Sequence, residues 1–219
     1  MRTVILSLLV AVVAALVVPS CQDAHAEDKE EIRRVYAMID TCNDQSRGKE
    51  VLELFTAETF DGYERIIKVA LDARMEEVKA LRPSDKLEVF RIRARAKRAE
   101  IEGLDGRGYC EFATSRGWYV RPPAERFESE LRNFVFQGDV ATAELLMDGE
   151  KTGARMRFVR QGGKWRFDEV DAYHHWDRWW REESQESGLS VEELLIGQIE
   201  DEIGREAPDS IRKPMPKRR

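Results

Sequence analysis

The stretch Arg126 to Tyr173, "RFESELRNFVFQGDVATAELLMDGEKTGARMRFVRQGGKWRFDEVDAY", decides the fold. It carries no helical stripe of apolar residues. It divides into four runs, near 126–136, 140–147, 154–160 and 164–171, separated by "QGD", "DGEKTG" and "QGG". Each separator is a turn signal, because Gly and Asp tolerate the backbone angles that tight turns demand. Within the runs the side chains partly alternate, as in Phe134 and Phe136, Met156 and Phe158, and Trp165 and Phe167. Runs joined by such short links can pair only as neighbours of opposite direction, so the stretch predicts a four-stranded antiparallel meander.

Upstream the chain is helical. Asp28 is placed to cap a first helix with Glu31 three positions on, and Ile32, Val35, Tyr36 and Ile39 follow at the spacing of one helix face. Val51, Leu52, Leu54 and Phe55 suggest a second, smaller helix. Tyr63, Ile66, Ile67, Ala70, Leu71, Val78 and Leu81 form the longest stripe, stopped by Pro83. Ser84 is a cap candidate for the next helix, with Leu87, Phe90 and Ile92. "LDGRGYCEFATSRGW" (104–118) predicts a short helix capped by Asp105 and stopped at Gly117. Downstream, "GLSVEELL" (188–195) holds a capping box, Ser190 with Glu193, and Leu189 can staple against Leu194. Leu195, Ile199 and Ile203 extend that stripe to Pro208. The ending "RKPMPKRR" (212–219) contains five basic groups and predicts a frayed tail from residue 207 onward. The expected class is therefore α+β: a helical N-terminal half packed on the meander, with extra C-terminal helices, in one domain over 27–206.

The N-terminus reads as a leader. Arg2, an apolar run from Val4 to Val18 and "AHA" at Ala24 to Ala26 have the order of a secretory signal peptide cleaved after Ala26. The run is short for a membrane span, which needs about 20 residues. "VPSC" ending at Cys21 resembles a bacterial lipobox, and lipidation of Cys21 is the competing route, the one that would bring a membrane contact. Either route places the protein in the periplasm, outside the cell or on the envelope. In such a compartment Cys42 and Cys110 are left as one pair, either bridged or as two independent buried thiols.

The net charge of -6 survives loss of the leader, which removes Arg2 and Asp23 together. Charged residues make up 36% of the chain against about 25% in an average domain. Both signs are interspersed, so the excess reads as a solvated surface, and an acidic exported chain is not expected to bind nucleic acid.

The meander with its ending "GDVATAELLMDGE…MRFVRQGGKWRF" (138–167) resembles the nuclear transport factor two-like superfamily, the cone that includes ketosteroid isomerases and SnoaL-type cyclases. The resemblance covers about thirty residues closely and the meander as a whole loosely. It implies a helical layer folded over a curved sheet with a pocket inside, and Trp118, Phe134, Phe158 and Trp165 are the candidate pocket residues. The chain departs from that pattern by its extra helices before Trp118 and after the last strand, which are placed to fill the mouth of the cone. The superfamily's enzymes work through a buried carboxylate or histidine, and no residue here matches such a motif.

"VDAYHHWDRWWREES" (170–184) poses a choice between a metal site and a packing face. On a helix, Tyr173, Trp176 and Trp180 share one face, while Asp177, Arg178 and Arg181 turn outward. His174 and His175 are neighbours and point about 100° apart, so they cannot hold one ion together, and packing is the expected role. No metal and no cofactor are expected. "KLEVFRIRARAKR" (86–98) offers either an anion patch or, as favoured, the wet side of a helix neutralised by Glu88, Glu100 and Glu102. No phosphate loop, nucleophile elbow or Cys-x-x-Cys occurs. The leading expectation is an exported, non-enzymatic module binding a small apolar ligand or a protein partner. The alternatives are a small-molecule isomerase, dehydratase or cyclase with a pocket carboxylate, and a structural envelope protein without ligand.

Overall fold

The computed structural model describes residues 24–121 and 127–217. Cys21 and most of the leader lie outside the described residues, as does Arg126 at the start of the first run. The chain is α+β. Among the described residues seven helices come first: α1 (Ala26–Asp44), α2 (Gly48–Val51), α3 (Ala57–Asp72), α4 (Met75–Lys79), α5 (Pro83–Arg95), α6 (Arg98–Ile101) and α7 (Gly106–Ser115). Four strands follow, β1 (Ser129–Gln137), β2 (Val140–Met147), β3 (Glu150–Gln161) and β4 (Lys164–Asp168), then α8 (Glu169–Ser187), α9 (Val191–Ile203) and a 3-10 turn at Asp209–Arg212.

The sheet has the order β1-β2-β3-β4 with every neighbour antiparallel, the meander that its turns predict. Asp148–Gly149 and Gly162–Gly163 both hold two consecutive residues at positive φ, the geometry of two-residue hairpin turns that match the twist of their strands. The separator "DGEKTG" is thus a turn in its first two residues alone, and β3 starts at Glu150. The register places Ala141 opposite Phe158, and Phe158 opposite Phe167. These side chains, with Leu131, Ala143, Leu145, Met156 and Trp165, form the buried face. Each large apolar side chain enclosed this way contributes about 1.5–3 kcal/mol. Thr56 N–H donates to Phe167 O at 3.0 Å and Phe167 N–H to Leu54 O at 2.8 Å, so the segment after α2 covers the free edge of β4. The second helix is correspondingly shorter than its apolar cluster suggests, because Leu54 and Phe55 belong to this edge.

Helix α1 buries Ile32, Val35, Ile39 and Cys42 and packs on β4. Asp28 does not cap it; the N-cap is His25, whose side chain makes no capping bond to the helix backbone and instead meets Asp28 Oδ2 at 3.1 Å. Asp28 instead faces the sheet, where its Oδ1 accepts from Trp165 Nε1 at 3.0 Å and pairs with Arg160. Glu31 accepts from Trp165 N at 3.1 Å. Asp105 caps α7 as expected, accepting from Gly108 N at 2.7 Å. A Cβ on Gly106 would lie 1.8 Å from Phe60 O, so only glycine lets α7 come this close to α3.

The long stripe is not one helix. It breaks at Ala73, and the physical reason sits on α5. Arg93, 4% exposed, donates to the carbonyls of Val69 at 3.1 Å, Ala70 at 3.0 Å and Ala73 at 2.6 Å. One guanidinium therefore satisfies the C-terminal carbonyls of α3 that a longer helix would have satisfied itself. Arg93 also reaches Ile211 O at 3.4 Å. Ile211 and Met215 are buried, and Met215 N–H donates to Leu71 O at 3.1 Å. The expected frayed tail is thus a strap packed against the domain as far as Met215. Helix α9 has its capping box, with Ser190 Oγ accepting from Glu193 N–H at 3.2 Å, and it ends at Gly204 rather than at Pro208. Leu189 remains 48% exposed.

Helix α8 is a packing element with a different buried face from the one its aromatic spacing suggests. Trp180 is buried and Tyr173 and Trp176 are half-buried, but Trp179 is exposed and Asp177 points inward. His174 is exposed and His175 half-buried. Asp177 turns in because α5 needs it: Pro83 and Ser84 open that helix, its N-cap Arg82 makes no side-chain cap, and Asp177 accepts the Ser84 N–H. Ser84 is inside the helix and its Oγ is buried without a partner, so it is not the cap.

Candidate active-site cleft

Helix α5 places Glu88, Arg91 and Arg95 at i, i+3 and i+7, one face of the helix. This face is interior, a correction to the wet-side expectation: the Glu88 side chain is 6% exposed, Arg91 11% and Arg95 14%. A second polar layer comes from α9, where Glu202 receives Arg91 Nε at 2.9 Å and Nη2 at 2.7 Å, and Arg95 Nη2 at 3.0 Å. Arg91 Nη1 donates to Glu88 Oε2. Glu88 Oε1 accepts from Tyr119 OH at 2.8 Å and from Tyr109 OH. Burial alone would raise the pKa of Glu202, but Arg91 and then Arg95 hold it below the ordinary carboxylate value. Buried ion pairs add little net stability against apolar packing, yet removing one partner strands a charge, so this layer fixes geometry.

Between α5, α9 and the segment after α7 lies a cleft of about 510 Å³. Its walls are Asn43, Arg91, Arg95, Gly117 to Arg121, Phe127, Gln198, Asp201 and Glu202, and Glu169 borders it from the start of α8. Three guanidiniums lie on three rings: Arg91 on Tyr119 at 5.4 Å, Arg95 on Trp118 at 5.9 Å and Arg121 on Phe127 at 4.4 Å. The walls are predominantly polar, which does not suit the small apolar ligand of the leading expectation. The extra helix α9 forms one wall and leaves the space open.

Glu169 is the first residue of α8, immediately after β4, and its N–H donates to Thr59 Oγ1 at 3.2 Å. Its Oε2 accepts from Tyr63 OH at 2.5 Å. Burial pushes its pKa up to about 7. The hydroxyls of Tyr63 and Tyr173 oppose the rise by stabilising the charged form, while the negative Glu88 adds to it. Burial likewise drives the Tyr63, Tyr119 and Tyr173 phenols well above their usual value, so they stay protonated donors. On its other side Glu169 borders a void of about 10 Å³, shared with Tyr63, Glu88 and Tyr173. That is room for about one water molecule.

The four expected pocket residues do not converge. Trp118 lines the cleft. Phe158 and Trp165 are fully enclosed in the core. Phe134 sits on β1, stacked on Phe136 at 6.1 Å under the Arg33 guanidinium. Cys42 and Cys110 are buried free thiols and no bridge joins them; burial raises both thiol pKa values, so neither is a nucleophile poised at neutral pH. Among the described residues no group of His, Cys, Asp or Glu is arranged to hold a metal ion, and no helix is long and apolar enough to cross a membrane.

Sequence reasoning missed Glu169 and Tyr119, and it noticed Arg91, Arg95 and Glu88 but favoured the wet side of a helix for them. One signal was present in α5, whose apolar residues Leu87, Val89, Phe90 and Ile92 point in every direction. A helix apolar all round is enclosed, and its charges must then be paired inside. No family model, curated protein or solved structure matches the chain.

Proposed function

We propose that the chain is an exported protein that acts on a small polar molecule by acid–base chemistry, with Glu169 as the proton-transfer group. The carrying observation is the position of Glu169: it borders the cleft of about 510 Å³, and its carboxyl is held by the Tyr63 hydroxyl at 2.5 Å. A carboxyl titrating near neutrality can take a proton from a substrate and return it without a large cost in either direction, which supplies about 10²–10⁴-fold acceleration. Isomerisation, dehydration and cyclisation of a carbonyl or hydroxyl compound all need such a shuttle. The resemblance of the meander to the nuclear transport factor two-like cone supports the same class of reaction. Export rests on the leader pattern that ends at Ala26.

A second reading is a binding module without turnover. One observation favours it: Glu88 beside the cleft is saturated by Tyr109, Tyr119 and Arg91, and Glu202 in its wall is held by Arg91 and Arg95, so neither carboxylate is free to serve as a second acid–base partner for Glu169. The two readings separate in heavy water. Small ketones, enones and hydroxy acids incubated with the protein should gain deuterium at the carbon beside the carbonyl, and Glu169→Gln should abolish the exchange. A compound that binds in the cleft with no exchange above background supports the binding module instead.

A further inference from the structure

The arginines of the cleft are not equivalent. Arg91 has all three of its nitrogens engaged, with Nε and Nη2 on Glu202 and Nη1 on Glu88. Arg95 makes one hydrogen bond, from Nη2 to Glu202, and its Nε–H is buried with no acceptor. Arg121 makes one among the described residues, from Nη2 to Asp40 at 3.0 Å, and its side chain is 37% exposed. A guanidinium carries five N–H donors in its plane, so each of these two has most of its donors unspent. Trp118 and Phe127 cover one face of each guanidinium, which leaves the donor-bearing edges as the free part. A buried N–H without an acceptor is costly, and a ligand that supplies one recovers that cost.

We propose that the cleft receives a small molecule through an anionic oxygen group, a carboxylate or a phosphate, held by Arg95 and Arg121. The inference rests on the reading of this cleft as the ligand site. Glu202, Asp201 and Glu169 also border the cleft. Glu202 is spent on Arg91 and Arg95, and burial leaves Glu169 less ionised than an ordinary carboxylate, so the negative walls oppose an anion less than their number suggests. Planar, delocalised guanidiniums match carboxylate and phosphate geometry through paired hydrogen bonds.

The test titrates the full exported chain with benzoate, phenyl phosphate, benzyl alcohol and benzylamine, following the indole signal of Trp118. Benzoate or phenyl phosphate should bind at least about tenfold more tightly than benzyl alcohol, the increment of one charge-assisted hydrogen-bond pair. The tighter of the two anions identifies the group. Arg121→Gln should lose about tenfold in anion affinity and keep the native fold, since Arg121 is partly exposed. Equal binding of the alcohol, preference for benzylamine, no response from any probe, or an Arg121→Gln variant with unchanged anion affinity would each overturn the proposal. Anion binding that persists in Glu169→Gln without turnover in the wild type would contradict the acid–base reading alone. Turnover confined to neutral or cationic compounds would contradict the anion site alone.

Discussion

The carboxylate of Asp177, in the middle of α8, accepts a 2.7 Å hydrogen bond from the backbone N–H of Ser84, at the first turn of α5. A residue 93 positions away does the work of an N-cap. The bond sets α8 against α5, and so sets Glu169 and Tyr173 of one helix near Glu88 of the other. Loss of a cap typically costs about 0.5–2 kcal/mol. Asp177→Ala should destabilise by that amount or somewhat more, and Asp177→Asn by less, in urea denaturation. Gln at His174, which is exposed, should leave the midpoint unchanged. An Asp177→Ala midpoint equal to wild type would show that the cap is not formed in solution.

Arg93 gives the second prediction. Its guanidinium serves four backbone carbonyls on α3, Ala73 and the C-terminal strap, and it is almost wholly buried. Arg93→Lys keeps the charge but loses the fork, and should cost about 2–3 kcal/mol, since hydrogen bonds to charged groups contribute about 1.5–3 kcal/mol. Deletion of residues 209–219 should cost at least as much, because it removes the buried Ile211 and Met215 and opens their sites. A thermal melt of the truncated chain that matches wild type would contradict the packing of the strap.

The cysteines give a chemical prediction. With both thiols buried and free, the native protein should resist a thiol reagent, and the denatured, unreduced protein should release two equivalents if its N-terminus is Glu27. Mass mapping that finds Cys42 linked to Cys110 would overturn this. The same spectrum reports the processing route, since cleavage after Ala26 and a lipid on Cys21 give different intact masses.

Much of the fold is legible in the residues because it rests on local chemistry. Asp148–Gly149 and Gly162–Gly163 specify their hairpins alone, and Ser190 with Glu193 specifies the start of α9. Asp105 does the same for α7. What is not legible depends on partners far along the chain. Arg91 reads as a surface charge until Glu202, 111 positions on, is seen beside it. Arg93 reads the same way until the carbonyls of a broken helix surround it. Met215 stands in a basic stretch, and its place in the core shows only in the folded chain, where its side chain is buried and its N–H donates to Leu71 O. The cleft is assembled from the end of α1, α5, the segment after α7, α8 and α9, so no single stretch announces it. Glu169 lacks any motif; its chemistry comes from burial beside Tyr63.

Stability should depend on pH through Glu169 in a definite direction. Its folded pKa is raised from 4.5 to about 7, so the protonated folded state is the favoured one. The contribution is fully present below pH about 4.5, is lost as pH rises through about 7, and amounts to about 3 kcal/mol at most. Glu169→Gln removes the titration, so its stability relative to wild type should grow as pH rises from about 4.5 to about 7 and then level off. A constant difference across that range would contradict the raised pKa.

The carboxyl carbon resonance of Glu169, followed by NMR against pH and assigned by its absence in Glu169→Gln, tests the central claim most directly. The account predicts a midpoint of about 7, moved higher in Tyr63→Phe because that change removes a hydrogen bond to the charged form. A midpoint near the ordinary value of 4.5, unmoved by Tyr63→Phe, would mean that Glu169 is a solvated surface carboxylate with no proton to exchange in the cleft.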